Sequence, residues 1–173
     1  MFYIETNRLT ITEFTPDMAQ VVHENSLDDD NRRFVPDEVF ETVEDAAETI
    51  EYLMSQYGRI DGPLVYPVIL KNGTNIGYVQ AVPLDDETWE IGYHIAYKYT
   101  KNGYASEAVT AFLPVIMKLL DIKKITGICL YDNIASRKVM EKCGFVFISQ
   151  QIGNYQGNQR DICKYYFSLD VKK

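Results

Sequence analysis

Tyr97-Lys98-Tyr99-Thr100-Lys101-Asn102-Gly103-Tyr104-Ala105-Ser106-Glu107-Ala108-Val109 decides the fold of this chain, because it reads as a strand running through a short turn directly into an amphipathic helix. The first turn of a helix leaves its backbone N–H groups without partners, and the aligned peptide dipoles add about half a positive charge there. Gly103 lets the backbone approach a ligand with no Cβ in the way, and the small Ala105 and Ser106 keep the helix entrance open. A phosphate suits such a place. The same pattern also serves an ordinary glycine-containing loop before a helix, so its neighbours have to decide.

Composition bounds the answer. With 46% of its 173 residues hydrophobic, the chain reads as one domain over 1–173 with a sizeable core. A formal net charge of −8 opposes a nucleic-acid partner, whose binding rests on a basic surface, and favours a cationic substrate. No apolar run reaches the roughly 20 residues that span a bilayer. Met1-Phe2-Tyr3-Ile4-Glu5 has neither a basic n-region nor an apolar h-region, so a cytoplasmic protein without a membrane partner is expected. Cys129, Cys143 and Cys163 are odd in number, too far apart for a CxxC pair, and set in apolar or helical contexts. They read as reduced core thiols, and no metal site is expected.

Around the opening segment the elements alternate without repeats or low-complexity linkers. Arg8 to Phe14 alternates as a half-buried strand does, with Leu9, Ile11 and Phe14 competing for the inner face. Thr15-Pro16-Asp17 starts a helix, which Asp28-Asp29-Asp30 ends in a loop. Thr42-Val43-Glu44-Asp45 reads as a capping box for a second helix running to about Tyr57, with Gly58 as its stop. Leu64 to Lys71, the turn Asn72-Gly73-Thr74-Asn75, and Ile76 to Val82 form a hairpin, followed by a strand from Trp89 to Tyr97. The helix from about Ala105 to Leu120 contains Pro114 and is expected to kink near Thr110 or Ala111. A short strand Lys124 to Leu130, a helix Ala135 to Cys143, and strands Phe145 to Gln151 and Asp161 to Leu169 complete the chain.

This order of elements, the strand Glu90-Ile91-Gly92-Tyr93-His94-Ile95, the turn Thr100 to Ala105, and the later Asn133-Ile134-Ala135-Ser136 with Glu141-Lys142-Cys143-Gly144-Phe145 together resemble the GNAT superfamily of acyl-CoA-dependent N-acetyltransferases. Glu5-Thr6-Asn7-Arg8-Leu9 and Tyr104-Ala105-Ser106-Glu107-Ala108 resemble the branch that acetylates N-termini, including alanine N-termini, of ribosomal proteins. The resemblance covers about Glu5 to Leu169. It implies an α/β (α+β) fold whose central sheet is mixed and mostly antiparallel, with about seven strands and about four helices, and a cofactor between the fourth and fifth strands. It also implies acetyl-CoA as cosubstrate, coenzyme A as product, and a primary amine as acceptor, such as a protein N-terminus, in a monomer or homodimer. Backbone groups around Ile95 and Tyr97 would pair with the pantetheine arm, and the N–H groups from about Lys101 through Asn102, Gly103, Tyr104 and Ala105 to Ser106 would hold the pyrophosphate. Where the family loop usually starts with Gln or Arg this chain has Thr100, so backbone donors carry more of the anion. Asn133 would reach the pantetheine or a bound water, or else serve as a helix-start residue.

Catalysis requires a neutral amine and is helped by a proton donor for the departing thiol, whose free pKa is about 8.5. Many relatives supply that donor as a Tyr where this chain has Met140, which leaves Ser136 as the candidate acid and Tyr131 as a poorer one. A backbone N–H near Ile95 would polarise the thioester carbonyl. Glu90 matches the strand position of a carboxylate base in several relatives; it also reads as a strand residue paired with a nearby Arg or Tyr. His94 is its rival by chemistry, and the period of two puts both on one face, so they are possible partners. Two other functions stay open: a non-catalytic acyl-CoA-binding or partner-binding domain, and acetylation of a small polyamine or amino sugar. An NTPase phosphate loop is excluded, because no Gly-x-x-x-x-Gly-Lys-Ser/Thr occurs and Lys101 precedes Gly103.

Overall fold

The computed structural model describes residues 1–169. β1 (Ile4–Glu5) and β2 (Leu9–Ile11) pair antiparallel; Leu9 and Ile11 are buried on one face, as their alternation predicts, while Phe14, past the end of the strand, is buried in the cluster on the other. A 3₁₀ turn at Pro16–Met18 leads into α1 (Ala19–Ser26). Asp28-Asp29-Asp30 is not the expected loop. It opens α2 (Asp29–Phe34), because the Asp28 side chain accepts the Asn31 N–H at 2.7 Å and Asp29 and Asp30 sit at the positive helix end. A second 3₁₀ turn, Pro36–Glu38, follows. α3 (Val43–Gln56) begins on the reciprocal capping box between Thr42 and Asp45, and the chain leaves it through Gly58 at φ 84°.

Three antiparallel strands come next: β3 (Leu64–Leu70), β4 (Asn75–Pro83) and β5 (Trp89–Ile95). α4 (Tyr104–Leu119) continues through Pro114 as one helix. β6 (Lys124–Leu130), α5 (Ile134–Lys142), β7 (Val146–Tyr155) and β8 (Asn158–Ser168) follow. The last hairpin is longer than expected and turns on Gln156 and Gly157, both at positive φ, as a two-residue connection requires.

The strands form one eight-stranded sheet in the order β1-β2-β3-β4-β5-β6-β8-β7. The difference from the expected seven strands and four helices is the two-residue β1 and the capped α2. The sheet has a helix layer on each face. Leu64, Tyr66 and Val68 pack with the α4 stripe Val109, Phe112, Leu113, Ile116 and Met117, whose three- and four-residue spacing makes one apolar side. Val65, on the opposite side of β3, packs with Phe14, Ala19 of α1 and Ile50 of α3. Each fully buried large side chain of this kind contributes about 1.5–3 kcal/mol.

One place breaks the continuity of the sheet. β5 and β6 run parallel and pair at Glu90 with Thr126 and at Ile91 with Gly127, yet β5 continues to Ile95 and β6 to Leu130. On their outer sides both strands stay in full ladders, β5 with β4 as far as Gly77 opposite Ile95 and β6 with β8 as far as Leu130 opposite Ile162. The two halves of the sheet diverge like an open V between β5 and β6. These are the fourth and fifth strands of the sequence count, with β1 left out.

Candidate active site

The Ala96 N–H bonds to the Ile76 carbonyl at 2.8 Å, on the β4 side. Because backbone groups alternate along a strand, Ile95 and Tyr93 direct their N–H and C=O groups to the other side, into the V. The mouth of the V opens on a cavity of about 310 Å³ bordered by Tyr93, Ile95, Tyr97, Thr100, Lys101, Gly103, Tyr104, Ala105, Ser106, Asn133 and Ser136. The residues expected at a cofactor, Asn102 apart, thus border one cleft.

The loop that closes this cleft is shaped by two left-handed residues, Lys101 at φ 64° and Gly103 at φ 79°. Gly103 is the N-cap of α4, and its carbonyl takes the first helical bond from the Glu107 N–H at 3.1 Å. The N–H groups of Tyr104, Ala105 and Ser106 therefore lie in the first helical turn, where no preceding carbonyl reaches them. The side chains of Thr100 and Asn102 are spent on the loop itself: Thr100 Oγ1 donates to the Tyr97 carbonyl at 2.7 Å, and Asn102 Nδ2 donates to the carbonyls of Tyr99 and Thr100 at 3.1 and 3.0 Å.

The N-terminal Thr6 and Arg8 brace the same loop, a physical role that the motif alone did not reveal. Glu107 accepts from Thr6 Oγ1 at 2.7 Å, from the Arg8 N–H at 3.0 Å and from Arg8 Nε at 2.7 Å. Arg8 Nη1 donates to the Asn102 carbonyl at 2.9 Å, and the guanidinium lies 4.5 Å from the centre of the Tyr104 ring. Burial alone would raise the Glu107 carboxyl, but the bonds from Thr6 and Arg8 outweigh it and hold it below its usual range.

Tyr97 departs from expectation. It lies in a 3₁₀ turn, Tyr97–Tyr99, and not in the strand. Its N–H donates to Asp28 Oδ2 at 3.2 Å and its carbonyl accepts from the Thr100 N–H at 3.1 Å, while the residue still borders the cleft. Asp28 also faces His94, whose Nε2 is 3.7 Å from Oδ2. Burial pushes Asp28 up, but His94 and the N–H groups of Asn31 and Tyr97 push it down further, for a net lowering. His94 is consequently turned toward Asp28 and the Tyr78 ring, 5.8 Å between centroids, and is not the partner of Glu90 that its strand position allowed.

Asn133 N-caps α5 by accepting the Ser136 N–H at 3.2 Å, so the helix-start role is realised while the residue also borders the cleft. Ser136 is held by a residue that sequence reasoning passed over. Tyr93 Oη donates to the Ser136 carbonyl at 2.9 Å and lies 2.9 Å from Ser136 Oγ. Tyr93 projects into the V from β5, and its burial keeps the phenol protonated well above its ordinary range. Met140, at the position of the usual Tyr, is buried; a Cβ on Gly127 would come within 2.7 Å of its sulfur, so the thioether fills space that a side chain on β6 would otherwise occupy.

A second cavity of about 360 Å³ adjoins the cleft on the far side of Tyr93, Asn133 and Ser136, and is bordered also by Glu38, Gln80, Glu90 and Tyr155. Glu90 sits at the closed end of the V, opposite Thr126. Burial, together with the charge of Glu38, pushes its carboxyl up to about 7. Glu38, which the sequence hides in a short turn after Pro36, is itself raised by burial. The three cysteines are unpaired thiols; burial pushes Cys129 up to about 12. Among the described residues no group of three or more His, Cys, Asp or Glu is placed to hold a metal ion, and no helix is long and apolar enough to cross a membrane.

Residues 8–146 match the family model described as an acetyltransferase (GNAT) domain. The chain belongs to the GNAT acetyltransferase family. An uncharacterized N-acetyltransferase of Bacillus subtilis (strain 168), YnaD, is 33% identical over 144 residues, covering 82% of this chain and 81% of that protein. A GNAT-family acetyltransferase structure from Bacillus anthracis superposes with a TM-score of 0.82 at 28% identity, over 96% of this chain and 98% of that one. A structure of RimL, a ribosomal L7/L12 α-N-protein acetyltransferase in complex with coenzyme A, has a TM-score of 0.83 at 17% identity, over 99% and 100% of the two chains, which is a likeness of fold. The chain is therefore an N-acetyltransferase of this family.

Proposed function

We propose that this enzyme transfers acetyl from acetyl-CoA to an α-amine, such as the N-terminus of a peptide or protein, by direct attack with both substrates bound. The observation that carries the reading is the V between β5 and β6, which offers unpaired strand edges at Tyr93 and Ile95 with Glu90 at its closed end. The residues present suit coenzyme A: Ile95 and Tyr93 for the pantetheine amides, and the Lys101 to Ser106 turn for the pyrophosphate, with Gly103 leaving the approach clear. Acetyl-CoA supplies an activated acetyl group on a thioester.

The protein's own groups do the proton work. Glu90, with its carboxyl near 7, accepts the amine proton directly or through one water. From an α-amine of pKa about 7.7–8.0 this transfer is uphill by about 1 kcal/mol; from a lysine of about 10.4 it is uphill by about 4.6 kcal/mol. That difference favours an α-amine. The Ser136–Tyr93 pair stands at the other end. The Tyr93 proton is held by the Ser136 carbonyl, which leaves the Ser136 hydroxyl, anchored beside the phenol, to hydrogen-bond the departing sulfur. The Ile95 N–H polarises the acyl carbonyl. The RimL likeness, to a ribosomal-protein α-N-acetyltransferase, points to the same acceptor class.

The test is an acyl-transfer screen with acetyl-CoA against N-terminal peptides, lysine peptides, polyamines and aminoglycosides, reading thiol release. N-terminal peptides are expected to turn over fastest. Tight coenzyme A binding with no thiol release for any amine would instead make the chain a non-catalytic acyl-CoA-binding domain.

A further inference from the structure

Glu38 stands where two cavities meet. One is the pocket it shares with Glu90 and Tyr155; the other, about 250 Å³, lies between the sheet, α1 and α3 and is bordered by apolar side chains such as Val22, Phe40, Ile50 and Leu53, with Asn31 and Asn75 among its polar ones. Glu38, Tyr78 and Gln80 border both. The Glu38 Oε2 atom is shut off from solvent and has no hydrogen-bond partner among the described residues, while Oε1 takes one bond from Gln80 Nε2 at 3.3 Å. Gln80 reaches that position because residue 92 is glycine; a Cβ there would meet Gln80 Nε2 at 2.5 Å. A buried carboxylate oxygen without a donor is unfavourable until a hydrogen-bonding cation reaches it. An apolar cavity of this size gains by receiving an apolar group in place of water.

We infer that the acceptor is a primary amine bearing a compact apolar group, with its amine at Glu38 beside Glu90 and its apolar group in the cavity between α1 and α3. This rests on the amine-acceptor reading of the site. Glu38 supplies the charge and the hydrogen-bond acceptor that orient the amine, and Glu90 is left to take the proton. A diamine fits less well: among the described residues the one carboxylate besides Glu38 that borders the cavity is the exposed Asp37, so a second ammonium would lie mainly among apolar side chains.

Binding to the coenzyme A-saturated full chain, measured by calorimetry with leucinamide, serinamide, glycinamide and putrescine, tests this without relying on turnover. Leucinamide is expected to bind at least tenfold tighter than glycinamide or serinamide. Glu38→Gln is expected to weaken leucinamide at least tenfold with coenzyme A affinity held, and Val22→Phe, which fills the cavity, to bring the leucinamide-to-glycinamide ratio toward one. Equal binding across the series, putrescine tighter than leucinamide, or full affinity in Glu38→Gln would overturn the inference. If Glu38→Gln does not fold, the amine series and Val22→Phe decide. Leucinamide binding that follows this pattern without acetylation would uphold this inference and sink the transfer reading; acetylation of every amine alike would do the reverse.

Discussion

Replacing Gly103 with valine strikes the point where fold and cofactor site coincide. Space is not the obstacle, since a Cβ at Gly103 would find Arg8 Nη2 as its nearest neighbour at 3.5 Å, an ordinary contact. The obstacle is conformation. At φ 79° an L-residue costs about 1–2 kcal/mol, and a β-branched one more. Relief comes by rotating the loop out of the left-handed region, which turns the first N–H groups of α4 away from the cleft. Loss of one bond from those groups to a charged phosphate costs about 1.5–3 kcal/mol, or a roughly 10- to 150-fold weaker Kd for coenzyme A. Gly73→Val is the control: Gly73 has φ 90° in the β3–β4 turn with nothing near its Cβ, so it carries the same backbone cost far from the cleft. Calorimetric titration with coenzyme A and a thermal melt of each variant separate the two effects. Both variants are expected to melt earlier, and only Gly103→Val to lose cofactor affinity. Unchanged affinity in a folded Gly103→Val protein would refute the assignment of the pyrophosphate to this turn.

Wild-type turnover of an α-amine peptide is expected to rise through an apparent pKa of about 7, and Glu90→Gln to lose that limb, with its largest deficit near pH 7–8 and a smaller one once the amine deprotonates unaided. The same group links to stability. With its folded value near 7 and its ordinary value at 4.5, the folded state binds the extra proton, so stability falls as pH rises between them; Glu90→Gln is expected to match wild type at pH 4.5 and to exceed it at pH 8 by up to about 3 kcal/mol in urea unfolding. Ser136→Ala and Tyr93→Phe are each expected to slow turnover by roughly 10²-fold with little change in coenzyme A affinity; full activity in both would mean that the thiol leaves without a protein donor. Arg8→Ala removes both the Glu107 pair and the bond to the Asn102 carbonyl; the pair itself is half in solvent and worth about 0–1 kcal/mol, so a severalfold weaker coenzyme A Kd is expected, and no change would show that the loop holds its shape without the N-terminal brace.

Local chemistry made much of this fold legible. The Thr42–Asp45 capping box, the Asn72-Gly73 hairpin and the period of two from Leu64 to Val82 each specify geometry within a few residues, and the structure has them where the sequence places them. Gly103 was legible for the same reason, as a residue needed between a strand and a helix. What stayed hidden depends on contacts distant in sequence. Asp28 reads as one of three loop aspartates, but it caps α2 and fastens His94 and Tyr97 across the fold. Period two puts Glu90 and His94 on one face without saying that Asp28 draws His94 away. Tyr93 reads as one more aromatic in a strand; its meeting with Ser136 exists because β5 and β6 part, which no single strand encodes. Glu38 sits in a turn between two helices, where an acidic residue is ordinarily solvated, and the fold brings that turn against Gln80 of β4. The sequence thus named most of the residues that border this cleft, while Tyr93 and Glu38 came to light only in the fold.

The central claim is that the V between β5 and β6 receives the thioester arm and delivers the acetyl group to an amine at Glu90. A crystal structure of the full chain with coenzyme A tests it most directly. The account predicts pantetheine amides hydrogen-bonded to the Tyr93 and Ile95 backbone, pyrophosphate on the first turn of α4, and the thiol within reach of Ser136 Oγ and Tyr93 Oη, on the side facing Glu90. Coenzyme A bound outside the V, or with its thiol directed away from Ser136 and Glu90, would contradict it.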